Sequence, residues 1–178
     1  MIYVFLADGF EEIEALAPVD LLRRAGFEVR TVGVTGKTVC GSHKINVEAD
    51  ILPPENYDDA ELVILPGGKV GTMNLKASAE VQKAIKYCTE NGIRLAAICA
   101  APSVFGEAGV LSGKRATCFP GFEDKLLGAI VCEEGVVTDG LVTTAKSAGH
   151  SVEFGLELVR LLSDVSKSEQ LRRSIMQI

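Results

Sequence analysis

Cys99 and Glu14 are the two residues of this 178-residue chain whose type and setting most suggest chemistry. Cys99 lies in RLAAICAAP, Arg94 to Pro102, where an apolar run from Leu95 to Ile98 reads as a buried parallel strand and Pro102 suits a first helical turn. The cysteine therefore falls at a strand-to-helix corner. Ala97 and Ala101 stand two residues to either side, where a nucleophile elbow has room only for small side chains. Amides opening the next helix would point at the sulfur and favour thiolate over thiol. Most intracellular cysteines are small buried hydrophobes, but the corner position argues for a nucleophile or a sensor.

Glu14 belongs to EEIE, with Glu11 and Glu12, just after the first apolar run. Carboxylates at a helix start are usually solvated dipole partners. Glu14 differs because Ile13 and Ala15 flank it, which suggests an inward-turned side chain. A semi-buried glutamate tends to keep its proton, and can then donate a hydrogen bond to a thiolate or to its oxidised forms. Gly67 and Gly68 close ELVILPGG, and their amides with that of Ala100 could form an oxyanion hole. A turn that simply requires glycine explains the pair equally well.

The elements that must position these residues alternate as β-α-β. Residues 2–7 read as a strand ending at Asp8-Gly9, and EEIEALAPVDLLRRAG as a helix with an acidic start, a basic finish and a glycine stop. Pro18 predicts a kink or change of direction there. FEVRTVGV is the next strand, Gly36 to Ile51 an edge excursion of short extended pieces, and PPENYDDA a polar link. ELVILPGG is a strand, Ser78 to Asn91 a helix closed by Gly92, KRATCF and AIVCEEGVVTDGLVTTA further strands with a turn at Asp139-Gly140. GHSVEFGLELVRLLS and SKSEQLRRSIMQI are helical, and residues 1–178 form one domain without repeats.

Composition narrows the function classes. Apolar content of 47% with no tryptophan suits a Val, Ile, Leu and Ala core, and a net charge of -6 disfavours nucleic acid or anionic lipid as a partner. No apolar run approaches the ~18 residues of a membrane span, which points to a cytoplasmic protein. Five scattered cysteines read as reduced thiols. TGKT lacks the earlier glycine of a phosphate loop, since Thr31 stands there. Cys40 and His43 have the spacing of half a metal site without a second half, so no structural metal is expected.

Taken together and in order, DGFEEIEA, RRAG, ILPGG, AAICAAP and GHSVEFGLELV resemble the ThiJ/PfpI superfamily, in the branch of the Parkinson's-disease-associated deglycase and bacterial YajL. The resemblance implies a flavodoxin-like α/β sandwich, a mostly parallel sheet with helices on both faces, and a homodimer. It implies Cys99 as the reactive thiol, Glu14 as its protonated neighbour, and Gly68 and Ala100 as oxyanion donors. Cys118, Gly67, Arg24 and His150 are accessory candidates. The implied activity is cofactor-free conversion of methylglyoxal or glyoxal, or deglycation of protein and nucleotide adducts, with redox-dependent chaperoning as the alternative and a thiamine-thiazole biosynthetic role as a weaker one. There are departures from the family pattern. Cys118 occupies the place of a family histidine and could act as a resolving thiol. Ala100 follows the cysteine where protease members carry histidine, which disfavours peptide hydrolysis. SAGH replaces a Gly-Pro-Gly-type loop.

Overall fold

β1 (Ile2–Leu6) is buried along its whole length and divides its side chains between two cores. Ile2, Val4 and Leu6 face one apolar cluster and Tyr3 and Phe5 the other, as the twofold alternation of a strand requires when both faces are covered. The structure, a computed structural model, describes residues 1–177; the last residue of the expected C-terminal helical segment, Ile178, lies outside them. After β1 come α1 (Glu12–Arg24), β2 (Val29–Gly33), β3 (Thr38–Cys40), β4 (Asn46–Glu48) and β5 (Leu62–Leu65). They are followed by α2 (Lys69–Ala77), α3 (Ala79–Asn91), β6 (Arg94–Ile98) and α4 (Pro102–Glu107). The chain closes with β7 (Arg115–Ala116), β8 (Ile130–Val131), β9 (Val136–Asp139), β10 (Val142–Ala145), α5 (Ser151–Leu162) and α6 (Val165–Ser174).

The main sheet has six strands in the order β2-β1-β5-β6-β10-β9, and only β9 runs antiparallel to its neighbour. Helix α1 packs against α5, and α5 against α6, over the face carrying Ile2, Val4 and Leu6. Residues of α3 and α4 cover the opposite face. This is the expected α/β sandwich, with a mostly parallel sheet between two helical layers.

Local signals read from the sequence reappear as structure. Ser78 caps α3 by accepting from the Val81 amide, and Gly92 stops that helix in the left-handed region at φ 67°. Asp139 still belongs to β9 and pairs with Val142, which places the hairpin turn at Gly140-Leu141, one residue later than expected at Asp139-Gly140. The excursion after β2 forms a separate β3–β4 hairpin and returns beside the sheet edge through a Val32–Ile51 bridge.

Three expectations change. Helix α1 runs unbroken through buried Pro18, packed against α5. The link PPENYDDA is not simply polar, because buried Tyr57 sets its ring edge-on against Tyr3 at 5.6 Å between centroids. Helix α2 was not expected: Val70 and Met73 are exposed and only Gly71, Thr72 and Leu75 are buried, so it shows no broad apolar stripe. Among the described residues no helix is long and apolar enough to cross a membrane.

Candidate active site

Strands β1, β5 and β6 are adjacent and parallel, so the loops at their carboxyl ends converge on one edge of the sheet. β6 delivers Cys99, whose backbone sits at φ 64°, a conformation that costs a non-glycine residue on the order of 1–3 kcal/mol. The surroundings hold it there. The Cys99 amide donates to the Ala145 carbonyl at 2.9 Å, its own carbonyl accepts from Phe119 at 2.8 Å, and the Ala101 amide returns to Ile98. Ala97 and Ala101 are fully buried on either side, as the corner geometry demands.

Glu14, in the first turn of α1, is 1% exposed. Its Oε2 accepts from the Gly67 amide at 3.0 Å, its carboxyl hydrogen-bonds the Cys99 sulfur, and the Ala148 amide also favours its ionised form. Burial is the dominant influence, and with the nearby Glu11 charge it raises the Glu14 carboxyl to about 7 against these hydrogen bonds. Burial and the Glu14 carboxylate likewise push the Cys99 thiol up to about 12, opposed by the Gly68 and Ala100 amides. The expectation that the helix amides favour thiolate over thiol is therefore corrected, because desolvation and the facing carboxylate outweigh those amides. Glu14 and Cys99 form one coupled pair that gives up a first proton near neutrality and holds the second well into the alkaline range. Between these limits the pair holds a single proton.

The DJ-1/PfpI family model matches residues 1–161. The chain belongs to the DJ-1/PfpI family. It is 36% identical over 97% of its length to Protein DJ-1 homolog B of Arabidopsis thaliana, of which it spans 40%. It is 34% identical to the Parkinson disease protein 7 homolog of Danio rerio, over 95% of this chain and 93% of that one. A deglycase of Pyrococcus abyssi is 31% identical over 90% of this chain and 98% of its own. The solved structure of oxidised Toxoplasma gondii DJ-1 superposes with a TM-score of 0.92 at 30% identity, covering 98% and 97% of the two chains.

Within this DJ-1/PfpI fold the two glycines take different parts. A Cβ on Gly67 would collide with Glu14 Oε2 and lie 2.6 Å from Cys99 Cβ, so glycine is what leaves the carboxyl–sulfur contact open. Its amide serves Glu14, which removes Gly67 from the expected oxyanion donors. Gly68 sits at φ 86°, where a Cβ would strike the Gly9 carbonyl, and its amide faces the sulfur as expected. Two accessory candidates are corrected, and a third, His150, is placed on the loop that carries Ala148. Arg24 pairs with Asp20 at 2.6 Å, at the end of α1 remote from Glu14, about 15 Å along the axis. Cys118 is 3% exposed and burial pushes its thiol up to about 11, which ill suits a resolving thiol. The His150 ring hydrogen-bonds Ser147 and rests over Gly135.

Two contacts of segments already noted in the sequence escaped the sequence reading. SAGH acts through the Ala148 amide on Glu14, a role that a loop beginning just after the strand neighbouring β6 could have signalled. Glu11 caps α1, its Oε2 accepting from the Glu14 amide at 2.8 Å while its own amide donates to the Gly67 carbonyl at 3.1 Å. Neither contact leaves a spacing pattern in the sequence.

Proposed function

We propose that this protein is a cofactor-independent cysteine enzyme of the glyoxalase or deglycase type, acting in the cytoplasm on small reactive aldehydes or their adducts. The observation that carries the reading is the hydrogen-bonded Glu14–Cys99 pair, held where three strand ends meet, with two amides on the sulfur. The deglycase name of the Pyrococcus relative supports it. In the one-proton state the Cys99 sulfur attacks the aldehyde carbon of methylglyoxal, forming a C–S bond while the pair's proton passes to the carbonyl oxygen. The Gly68 and Ala100 amides stabilise negative charge on that oxygen during attack. Glu14, now a carboxylate, moves the hydrogen of the former aldehyde carbon to the neighbouring carbon as a proton, while the hydroxyl proton on the first oxygen passes to the neighbouring oxygen, turning the hemithioacetal into a thioester. Water then cleaves the C–S bond, releasing the hydroxy acid and restoring the thiol. No electron leaves the substrate, so the sequence needs no external oxidant.

The test is turnover of methylglyoxal by purified protein. Cys99→Ser should lose roughly a thousandfold or more in kcat/KM; equal turnover by wild type and variant removes the nucleophile. The homodimer implied by the family resemblance is part of the same proposal and is read from the mass in solution.

A second reading is a redox-sensing chaperone. The same proton donor and amides would hold the oxygens of an oxidised Cys99, and a relative in the family is known as an oxidised structure. Intact-protein mass spectrometry after graded peroxide, on wild type and Glu14→Leu, decides it. Preferential oxidation at Cys99 that weakens in the variant supports sensing, and uniform oxidation of all five thiols counts against it.

A further inference from the structure

Two residues before Glu14 on the same helix, Glu12 turns toward the β3–β4 hairpin and meets His43. The imidazole Nδ1 lies 2.9 Å from Glu12 Oε2 and 3.9 Å from Glu11 Oε1. One ligand atom from each of Glu11, Glu12 and His43 falls within 4.8 Å of the other two. These are not carboxylates loose in solvent: Glu12 is 5% exposed and the Glu11 side chain 15%. Charge is under-compensated as well. Among the described residues, neither carboxylate has an ion pair with any lysine or arginine, and a protonated His43 would still leave the group one negative charge in excess.

We infer that Glu11, Glu12 and His43 form a site for a borderline divalent cation of the zinc class, which clips the β3–β4 hairpin onto the first turn of α1. An imidazole and two carboxylates suit Zn²⁺ or Co²⁺ and exclude the thiolate-seeking Cu⁺. Three protein ligands at about 2.1 Å would place ligand atoms roughly 3.4 Å apart around a tetrahedron, with the fourth position open to water. The two separations from the imidazole, 2.9 and 3.9 Å, bracket that value, so on the His43 side occupation needs shifts of only about half an ångström. Ser42 Oγ donates to Glu12 Oε2 at 3.1 Å, an outer hydrogen bond that orients this carboxylate. Gly41 is needed beside them, because a Cβ there would collide with the Glu12 carboxylate. The half-site spacing of Cys40 and His43 pointed to the wrong partner: the Cys40 thiol faces the Gly41 carbonyl, and the second half comes from α1.

The test uses chelator-stripped full-length protein titrated with Zn²⁺ against a chromophoric indicator, and with Co²⁺ followed by its visible absorption. One ion per chain is expected, with a Co²⁺ spectrum lacking thiolate charge transfer. His43→Asn, at a side chain 70% exposed and therefore safe for folding, should weaken binding by at least about tenfold, while Cys99→Ser and Cys40→Ser leave it unchanged. Absence of saturable binding, equal affinity in His43→Asn, or loss of the ion in either cysteine variant would each overturn the assignment. Activity of the Cys99 site does not enter the readout, so failure here leaves the aldehyde chemistry standing.

Discussion

Glu12 and Glu14 sit two residues apart in one helical turn, both almost completely buried, yet their carboxyls move in opposite directions. Glu14 rises to about 7 because burial and the Glu11 charge outweigh the Gly67 and Ala148 amides and the Cys99 thiol. Glu12 pays the same kind of desolvation but falls to about 2, because the His43 ring, the His43 amide and Ser42 all donate to it. Burial alone therefore does not decide whether a carboxyl holds its proton. The donors that the tertiary structure brings to it do, and the helix presents one acid to a thiol and the other to an imidazole.

The comparison breaks most visibly at Glu14 itself. Glu14→Gln keeps the shape and loses the base, so methylglyoxal turnover should fall by about 10²–10⁴ with the fold retained, as read by kinetics beside circular dichroism. A variant as active as wild type would show that Glu14 moves no proton.

Stability against pH comes next. Folding raises the Glu14 carboxyl from 4.5 to about 7, so its neutral form contributes stability that is complete below pH 4.5 and is lost as pH rises through 7. Relative to Glu14→Gln, wild type should lose on the order of 3 kcal/mol of unfolding free energy across that window, measured by guanidinium titration. Parallel profiles for the two proteins would mean that Glu14 is already ionised in the folded chain.

Glu12 should show the opposite slope. Its lowered carboxyl contributes stability above pH 4.5 that disappears as pH falls toward 2. In chelator the loss relative to Glu12→Gln should be smaller, about 1 kcal/mol, because His43 on the far side of the pair is open to screening water. Acid unfolding midpoints of the two proteins give the measurement.

The smallest effect marks the boundary of the site. Arg24→Ala removes an exposed pair with Asp20 and should change stability by less than about 0.5 kcal/mol and turnover not at all. Any large loss of activity would return Arg24 to the active site.

Much of this was legible in the chain. The apolar run broken at Cys99, the paired glycines after β5 and the inward setting of Glu14 are local patterns, and local patterns reflect backbone conformation and burial directly. What misled was partner choice. The helix amides were expected to ionise Cys99, and Gly67 to face a substrate oxygen, because a sequence shows which amides exist and not which acceptor each one reaches.

By itself, then, the sequence determined the α/β layering, the corner that exposes one cysteine, and the carboxylates opening the first helix, since periodicity, glycine and proline act over a few residues. Only the tertiary structure decided that β5 lies between β1 and β6, so that Gly67 bridges Glu14 and Cys99, that Ala148 closes over the same carboxyl, and that His43 meets Glu12. Proton affinity depends on distances across those strand and loop junctions, and such distances follow from strand order rather than from spacing along the chain.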